Sequence, residues 1–169
     1  MTIGEIAAGT GSVALLASGS VLDLAVDTSA VDVTAAKLLV TAGAAIGASS
    51  NHLDTAVGVL SAKTTTGSIF VTEVDAVTVD AVSLSVNRVA VDGTTATTGT
   101  AASQEDLASG GDLVLVTLNG GITTTVGTGE IRAATDVLLS AGETVEATTS
   151  DIVLNAALSS SGGHLRVIG

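Results

Sequence analysis

From Gly67 to Asp92 apolar residues fall on nearly every second position. Ile69 and Val71, Val77 and Val79, then Val82, Leu84 and Val86, then Val89 and Val91 are separated mostly by Thr, Glu, Asp, Ser, Asn or Arg. A period of two sends alternate side chains to one face, so this stretch predicts three or four short strands, each apolar on one side. Only Val74-Asp75-Ala76 and Asp80-Ala81 separate the runs. Neither is a Pro-Gly, Asn-Gly or Gly-Gly hairpin signal, so the chain is expected to bend and continue rather than reverse. A chain that keeps bending one way winds into a coil. The expected fold is all-β, a parallel β-helix (β-solenoid) with one apolar interior.

Shorter copies of the same unit recur elsewhere. Gly11 to Ala17 (GSVALLA) and Gly19 to Ala25 (GSVLDLA) each join Gly-Ser to a short apolar run, and related openings stand at Gly67, Gly111, Gly129 and Ser150. The glycine is expected to supply a positive φ or a tight corner, and the small polar residue after it to bond the backbone there. In the last third, Leu113, Leu118 and Val126 lead to Ile131, Val137 and Val145, and these to Ile152, Leu158 and Leu165, at near-constant intervals. Three faces advancing together predict three-strand coils of roughly 20 residues, stacked ~4.8 Å apart. About seven such coils fit residues 1–169 as one domain. Two segments break the rhythm. Ala48 to Ala62 places Leu53, Val57 and Leu60 at helical spacing after Ser50-Asn51, which predicts a short helix over an open face or end. Gly93 to Gly110 predicts a loop insertion whose second half, Ser103 to Leu107, is a capped helical turn.

Composition narrows the interior. The chain is 46% hydrophobic but only 1% aromatic, so its core must be thin and lined with Ala, Val, Leu and Ile, which suits a solenoid better than a conventional sandwich. The formal net charge of −12 rests on 17 acidic and five basic side chains, Lys37, Lys63, Arg88, Arg132 and Arg166. These basic residues are scattered, and with no basic stripe to follow phosphates, nucleic acid is not an expected partner. The N-terminal run lacks the cationic start of a signal peptide, and Glu5, Asp23 and several glycines interrupt it. Membrane insertion is therefore not expected. The absence of Cys leaves the redox compartment open.

Catalytic chemistry is thin. His52 and His164 are far apart in sequence, and a triad needs one of them beside a Ser with an Asp behind it. A polysaccharide-active β-helix would need acids clustered beside aromatic sugar platforms, yet Phe70 is the sole aromatic. No enzyme activity is expected. Carboxylates are plentiful, and Asp23, Asp27, Asp32, Glu73, Asp75 and Asp80 are expected at outward strand or corner positions, where stacked coils could line them up to bind Ca²⁺. No other cofactor is expected. The Thr runs at Thr64 to Thr66, Thr94-Thr95, Thr97-Thr98 and Thr123 to Thr125 raise an ice-binding face as an alternative, although such a face needs Thr at one fixed position on consecutive coils.

The Gly-Ser/Asp strand openings, the Ala/Val/Thr-rich coils and the passage from Ile46 to Val79, IGASSNHLDTAVGVLSAKTTTGSIFVTEVDAVTV, resemble the repeat region of large bacterial surface adhesins of the filamentous-haemagglutinin type. The resemblance implies a right-handed parallel β-helix on an extracellular or cell-surface fibre, serving adhesion, coating or display, with a cell-surface or carbohydrate partner. Members of that family are usually very long and begin with a signal and a secretion domain, which this sequence does not show. Neither terminal run looks capped, so the chain is expected to be either one stretch of a longer solenoid or a subunit that stacks end to end, through Val13 and Leu15 at one end and Leu165 and Val167 at the other.

Overall fold

The structure, a computed structural model, describes residues 1–24, 31–89, 92–142 and 150–169. Among these residues every regular element is a strand and none is a helix. The chain opens with β1 (Thr2–Ile3), β2 (Ile6–Ala7), β3 (Ser12–Ala17) and β4 (Leu22–Asp23), followed by the long strands β5 (Val33–Ala42) and β6 (Leu53–Thr64). Next come β7 (Ile69–Glu73), β8 (Val77–Val79), β9 (Val82–Val89), β10 (Thr95–Gln104), β11 (Leu107–Ser109) and β12 (Leu113–Thr117). β13 (Ile122–Thr124), β14 (Ile131–Ala133), β15 (Val137–Ala141), β16 (Ile152–Val153), β17 (Leu158–Ser160) and β18 (Leu165–Ile168) complete the order.

Among the strands described, pairing is parallel apart from β9 with β10. β3 lies on β5 and β5 on β6. β6 then bends, pairing in turn with β7, β8 and β11, so one long strand supports three separate ones. From there three ladders run on: β7–β12–β15–β18, β8–β13–β16 and β11–β14–β17. This is a parallel, solenoid-like sheet that wraps one apolar interior, but its strands do not repeat as a regular three-strand coil. Leu38, Leu60 and Val79 stack in one interior row, and Ile69, Leu113 and Val137 in another. All six are at most 2% exposed.

The interior alternation from Ile69 to Val79 is as the sequence predicts, whereas the register is not, and Leu118 and Val126, expected on the advancing faces, are exposed. Ile131 faces Leu158 rather than Ile152, Val137 faces Leu165 rather than Leu158, and Leu113 faces Val137 rather than Ile131. Ile152 pairs instead with Ile122, and Val145 lies outside the described residues. Short apolar pairs are interchangeable by pattern alone, and corners of unequal length decide which of them meet.

Both expected excursions also differ. Leu53 to Thr64 is strand, because its alternating, β-branched Thr55, Val57 and Val59 can pair with neighbours on both edges, which outweighs the helical spacing of three apolar residues. A tight loop precedes it. Ala48 and Asn51 bond each other's backbone at 2.8 and 3.0 Å, and Gly47 has a φ of 65°. A Cβ on Gly47 would sit 2.2 Å from the Phe70 carbonyl oxygen. Residues 93–110 form neither a loop nor a helical turn over most of their length, since β9 and β10 make an antiparallel hairpin. Its reversal carries Asp92-Gly93, with Gly93 at φ 81°, and Asp92 Oδ1 accepts from Thr94 N (3.0 Å) and Thr94 Oγ1 (2.7 Å). Asp-Gly is a strong reversal signal, and it lies at the very edge of the alternating stretch. The Gln104 amide, 2.6 Å from Thr41 Oγ1 and 3.0 Å from Ser61 Oγ, fixes the hairpin base to the sheet.

Of the glycines that open the repeats, Gly67 and Gly129 owe their place to close approach rather than to positive φ, whereas nothing crowds Gly19. A Cβ on Gly67 would come within 2.7 Å of the Ala44 carbonyl oxygen, and one on Gly129 within 2.4 Å of that of Val79.

Candidate functional site

The first four layers bring one group of carboxylates together. Asp23 ends β4, Asp32 immediately precedes β5, and Asp54 is the second residue of β6. β5 is paired with β6, and the two chains are locked at this corner in both directions: Asp32 N donates to the Asp54 carbonyl (2.8 Å), and Asp54 N donates to Asp32 Oδ2 (2.7 Å). The Asp32 carbonyl in turn accepts from Ile6 N at 2.7 Å. Each of the three side chains offers a carboxylate oxygen within 4.8 Å of the other two. Asp32 is fully buried, Asp23 is 7% exposed, and Asp54 is half-buried. Asp32 Oδ1 and Asp23 Oδ1 are both buried without a hydrogen-bond partner. Burial pushes the Asp32 carboxyl up, the Asp54 backbone N–H opposes that, and the facing Asp23 and the Asp54 charge push it further. Three hard oxygen donors from three segments suit a divalent cation of the Ca²⁺ or Mg²⁺ kind and not zinc, which favours nitrogen and sulfur.

Of the carboxylates expected on an outward face, Asp23 and Asp32 are therefore buried and meet. Asp27 lies outside the described residues. Glu73 is also buried, not outward. It follows Ile69 and Val71 on the same side of β7, so alternation itself turns it into the interior. There it accepts from Thr55 Oγ1 (2.7 Å), from Val57 N (3.0 and 3.1 Å) and from Asp75 N (3.3 Å). Burial pushes its pKa up to about 7 against those hydrogen bonds. Asp75 is exposed and Asp80 partly so. Asp80 bonds Ala81 N at 2.7 Å and the Thr128 hydroxyl, and the latter contact, above all, holds its carboxyl below the usual value. Neither joins the cluster. Asp54 escapes a reading of the sequence because a helix over 48–62 puts it out of phase with its neighbours. The alternation Leu53, Thr55, Val57 was the available signal.

A second feature is a shallow groove on the outer face of the long ladder, lined by Phe70, Val114 and Leu138 and flanked by Asp112, Asp136 and His164. Its carboxylates hold the scaffold. Asp112 Oδ1 accepts from the Thr135 hydroxyl and from Asp136 N (3.2 Å), and Asp136 Oδ1 accepts from His164 N (2.6 Å). His164 Nδ1 lies 3.2 Å from Asp136. His52 Nδ1 lies 2.9 Å from Thr72 Oγ1, and its ring is 5.6 Å from that of Phe70. Burial pulls the His52 imidazole below its usual value.

Two of the threonine runs put a residue inside rather than on an array, and the side chains of Thr95, Thr97 and Thr98 lie outside those described. Thr64 and Thr124 are buried and tie corners together, Thr64 to the Gly67 carbonyl (2.5 Å) and Thr124 to Asn155 N (2.8 Å) and Ala156 N (2.9 Å). The outward row of the long ladder is Phe70, Val114, Leu138 and Arg166.

The expected stacking residues differ between the ends. Val13 and Leu15 are buried, whereas Leu165 and Val167 are 49% and 46% exposed. Comparison with protein-family models, with curated proteins and with solved structures found no match.

Proposed function

We propose that the chain is a structural and adhesive module of an extracellular or cell-surface bacterial fibre. In this reading it is a right-handed parallel β-helix of about seven coils with no catalytic role, and it stacks end to end on a further coil of its own kind. The observation that carries the reading is the open apolar row of the last layer. Val137 and Leu139 are 2% and 0% exposed, while Leu165 and Val167, stacked directly on them, are about half exposed. Among the described residues β18 pairs with β15 alone. Its second edge therefore offers backbone N–H and C=O groups to another strand, the template on which edge-to-edge association builds. A coil laid over that edge satisfies those groups and removes the apolar row from water at once. The net charge of −12 supports the same geometry, because mutual repulsion disfavours contact along the sides and leaves the end as the place of assembly. Adhesion and the cell-surface location come from the resemblance of the Ile46 to Val79 passage to filamentous-haemagglutinin-type repeats.

Sedimentation velocity and negative-stain electron microscopy across a concentration series test the proposal. Unbranched assemblies should lengthen with concentration, and the double variant Leu165→Asp, Val167→Asp should stay monomeric with a Tm close to that of the parent, since both side chains are already half in water. A parent chain that remains monomeric at millimolar concentration, with the Leu165 to Ile168 amides protected from hydrogen exchange, overturns it.

A further inference from the structure

We infer that Asp23, Asp32 and Asp54 form a Ca²⁺ site that ties successive layers of the solenoid together. The inference stands on the corner geometry and is independent of the fibre reading. Ca²⁺ takes oxygens at 2.3–2.6 Å, so one ion bridges carboxylate oxygens up to about 5 Å apart. The three side chains each place an oxygen within 4.8 Å of the others, which is the span one such ion covers.

The second observation is the pair of buried, unpartnered oxygens. Asp32 Oδ1 and Asp23 Oδ1 are shut away from water and no N–H or O–H donor reaches them, the two carboxyls lying close enough to share a proton. Buried polar atoms are nearly always partnered, and a buried carboxylate is paired or coordinates a metal. The charged groups that act on Asp32 are Asp23 and Asp54, both acidic. The corner thus concentrates negative charge in a protein already short of cations.

The corner is also built before any ion arrives. Asp32 Oδ2 is held by Asp54 N and the Asp32 backbone by Asp54 O and Ile6 N, which leaves Oδ1 fixed and available. This is the arrangement that lets an ion bind without reorganising the chain. Three carboxylates favour a divalent over a monovalent cation. Ca²⁺ accepts the irregular, partly bidentate oxygen set that aspartates on three separate segments can give, whereas Mg²⁺ demands a near-ideal octahedron. Because β4 and β5 lie on the layer of β1, β2 and β3, and β6 lies on β5, the ion would clamp one layer to the next, and its binding energy would appear directly as stability of that end of the solenoid.

The test is calorimetric titration of the chelator-treated full chain with CaCl₂, repeated with MgCl₂ and with NaCl at matched ionic strength, alongside thermal unfolding. One Ca²⁺ per chain is expected, with a Kd on the order of 10⁻⁴–10⁻³ M, the range of extracellular modules. Tm should rise in Ca²⁺ and rise less in Mg²⁺ or NaCl. Asp32→Asn keeps an oxygen for the Asp54 N–H and removes the ligand charge. It should weaken Ca²⁺ binding at least tenfold and abolish the Ca²⁺-dependent Tm rise, while its Tm in chelator equals or exceeds that of the parent. Asp75→Asn, at an exposed carboxylate outside the cluster, should leave binding unchanged. Absence of saturable one-to-one binding up to about 10 mM Ca²⁺, or equal binding by Asp32→Asn, overturns the inference and leaves Asp23 and Asp32 joined by a shared proton.

Discussion

Replacing Glu73 with Gln should make the protein more stable at pH 8 and leave it nearly unchanged at about pH 4. Glu73 is fully buried and its pKa is pushed up from 4.5 to about 7, chiefly by burial, against hydrogen bonds from Thr55, Val57 and Asp75. Below pH 4.5 the carboxyl is neutral in both folded and unfolded chains and costs nothing. Between pH 4.5 and 7 the folded state binds the extra proton, so stability falls as pH rises, and above about 7 the full penalty stands. A displacement of that size corresponds to about 3 kcal/mol. The neutral form has a ready arrangement. Glu73 can donate to Thr55 Oγ1 at 2.7 Å, and Thr55 can donate onward to the Thr72 carbonyl at 3.3 Å. A Gln amide can make the same donation, so Glu73→Gln mimics the protonated state. Urea unfolding of both proteins from about pH 4 to pH 8, with divalent ions held constant, measures this. The parent should lose about 3 kcal/mol relative to the variant across the series. Parallel pH profiles for the two proteins would refute the buried-carboxyl reasoning.

Two further substitutions probe the interior and a corner. Val79→Asp should cost several kcal/mol by placing an unpaired charge at a fully buried position, whereas Thr78→Asp, half-buried on the opposite face of the same strand, should cost under about 1 kcal/mol, as read from denaturation midpoints. Gly47→Ala should cost about 2 kcal/mol or more, because φ is 65° and the new Cβ would meet the Phe70 carbonyl at 2.2 Å. A Tm within a degree of the parent would refute that steric argument.

The alternation of apolar and polar residues was enough to determine that this chain is all strand in its alternating stretch and which side chains enter the core. Ile69 and Val71, Val77 and Val79, and Leu113 and Leu115 are buried as the period of two demands. The same period, applied one step further, also places Glu73 inside. Register belongs to the tertiary structure alone. A period of two fixes the face of each side chain but not its partner on the next layer, so Val137 could have met Leu158 as easily as Leu165. The lengths of the corners and the β9–β10 hairpin inserted between β8 and β11 made that choice. Local spacing misled at 48–62, where helical periodicity and strand alternation overlap and only pairing with β5 on one edge and with β7, β8 and β11 on the other tips the balance. The carboxylate corner is decided the same way. Asp23, Asp32 and Asp54 carry no common spacing, and what brings them within 4.8 Å is the winding of one layer onto the next, a property of the wound chain that no local window of sequence contains.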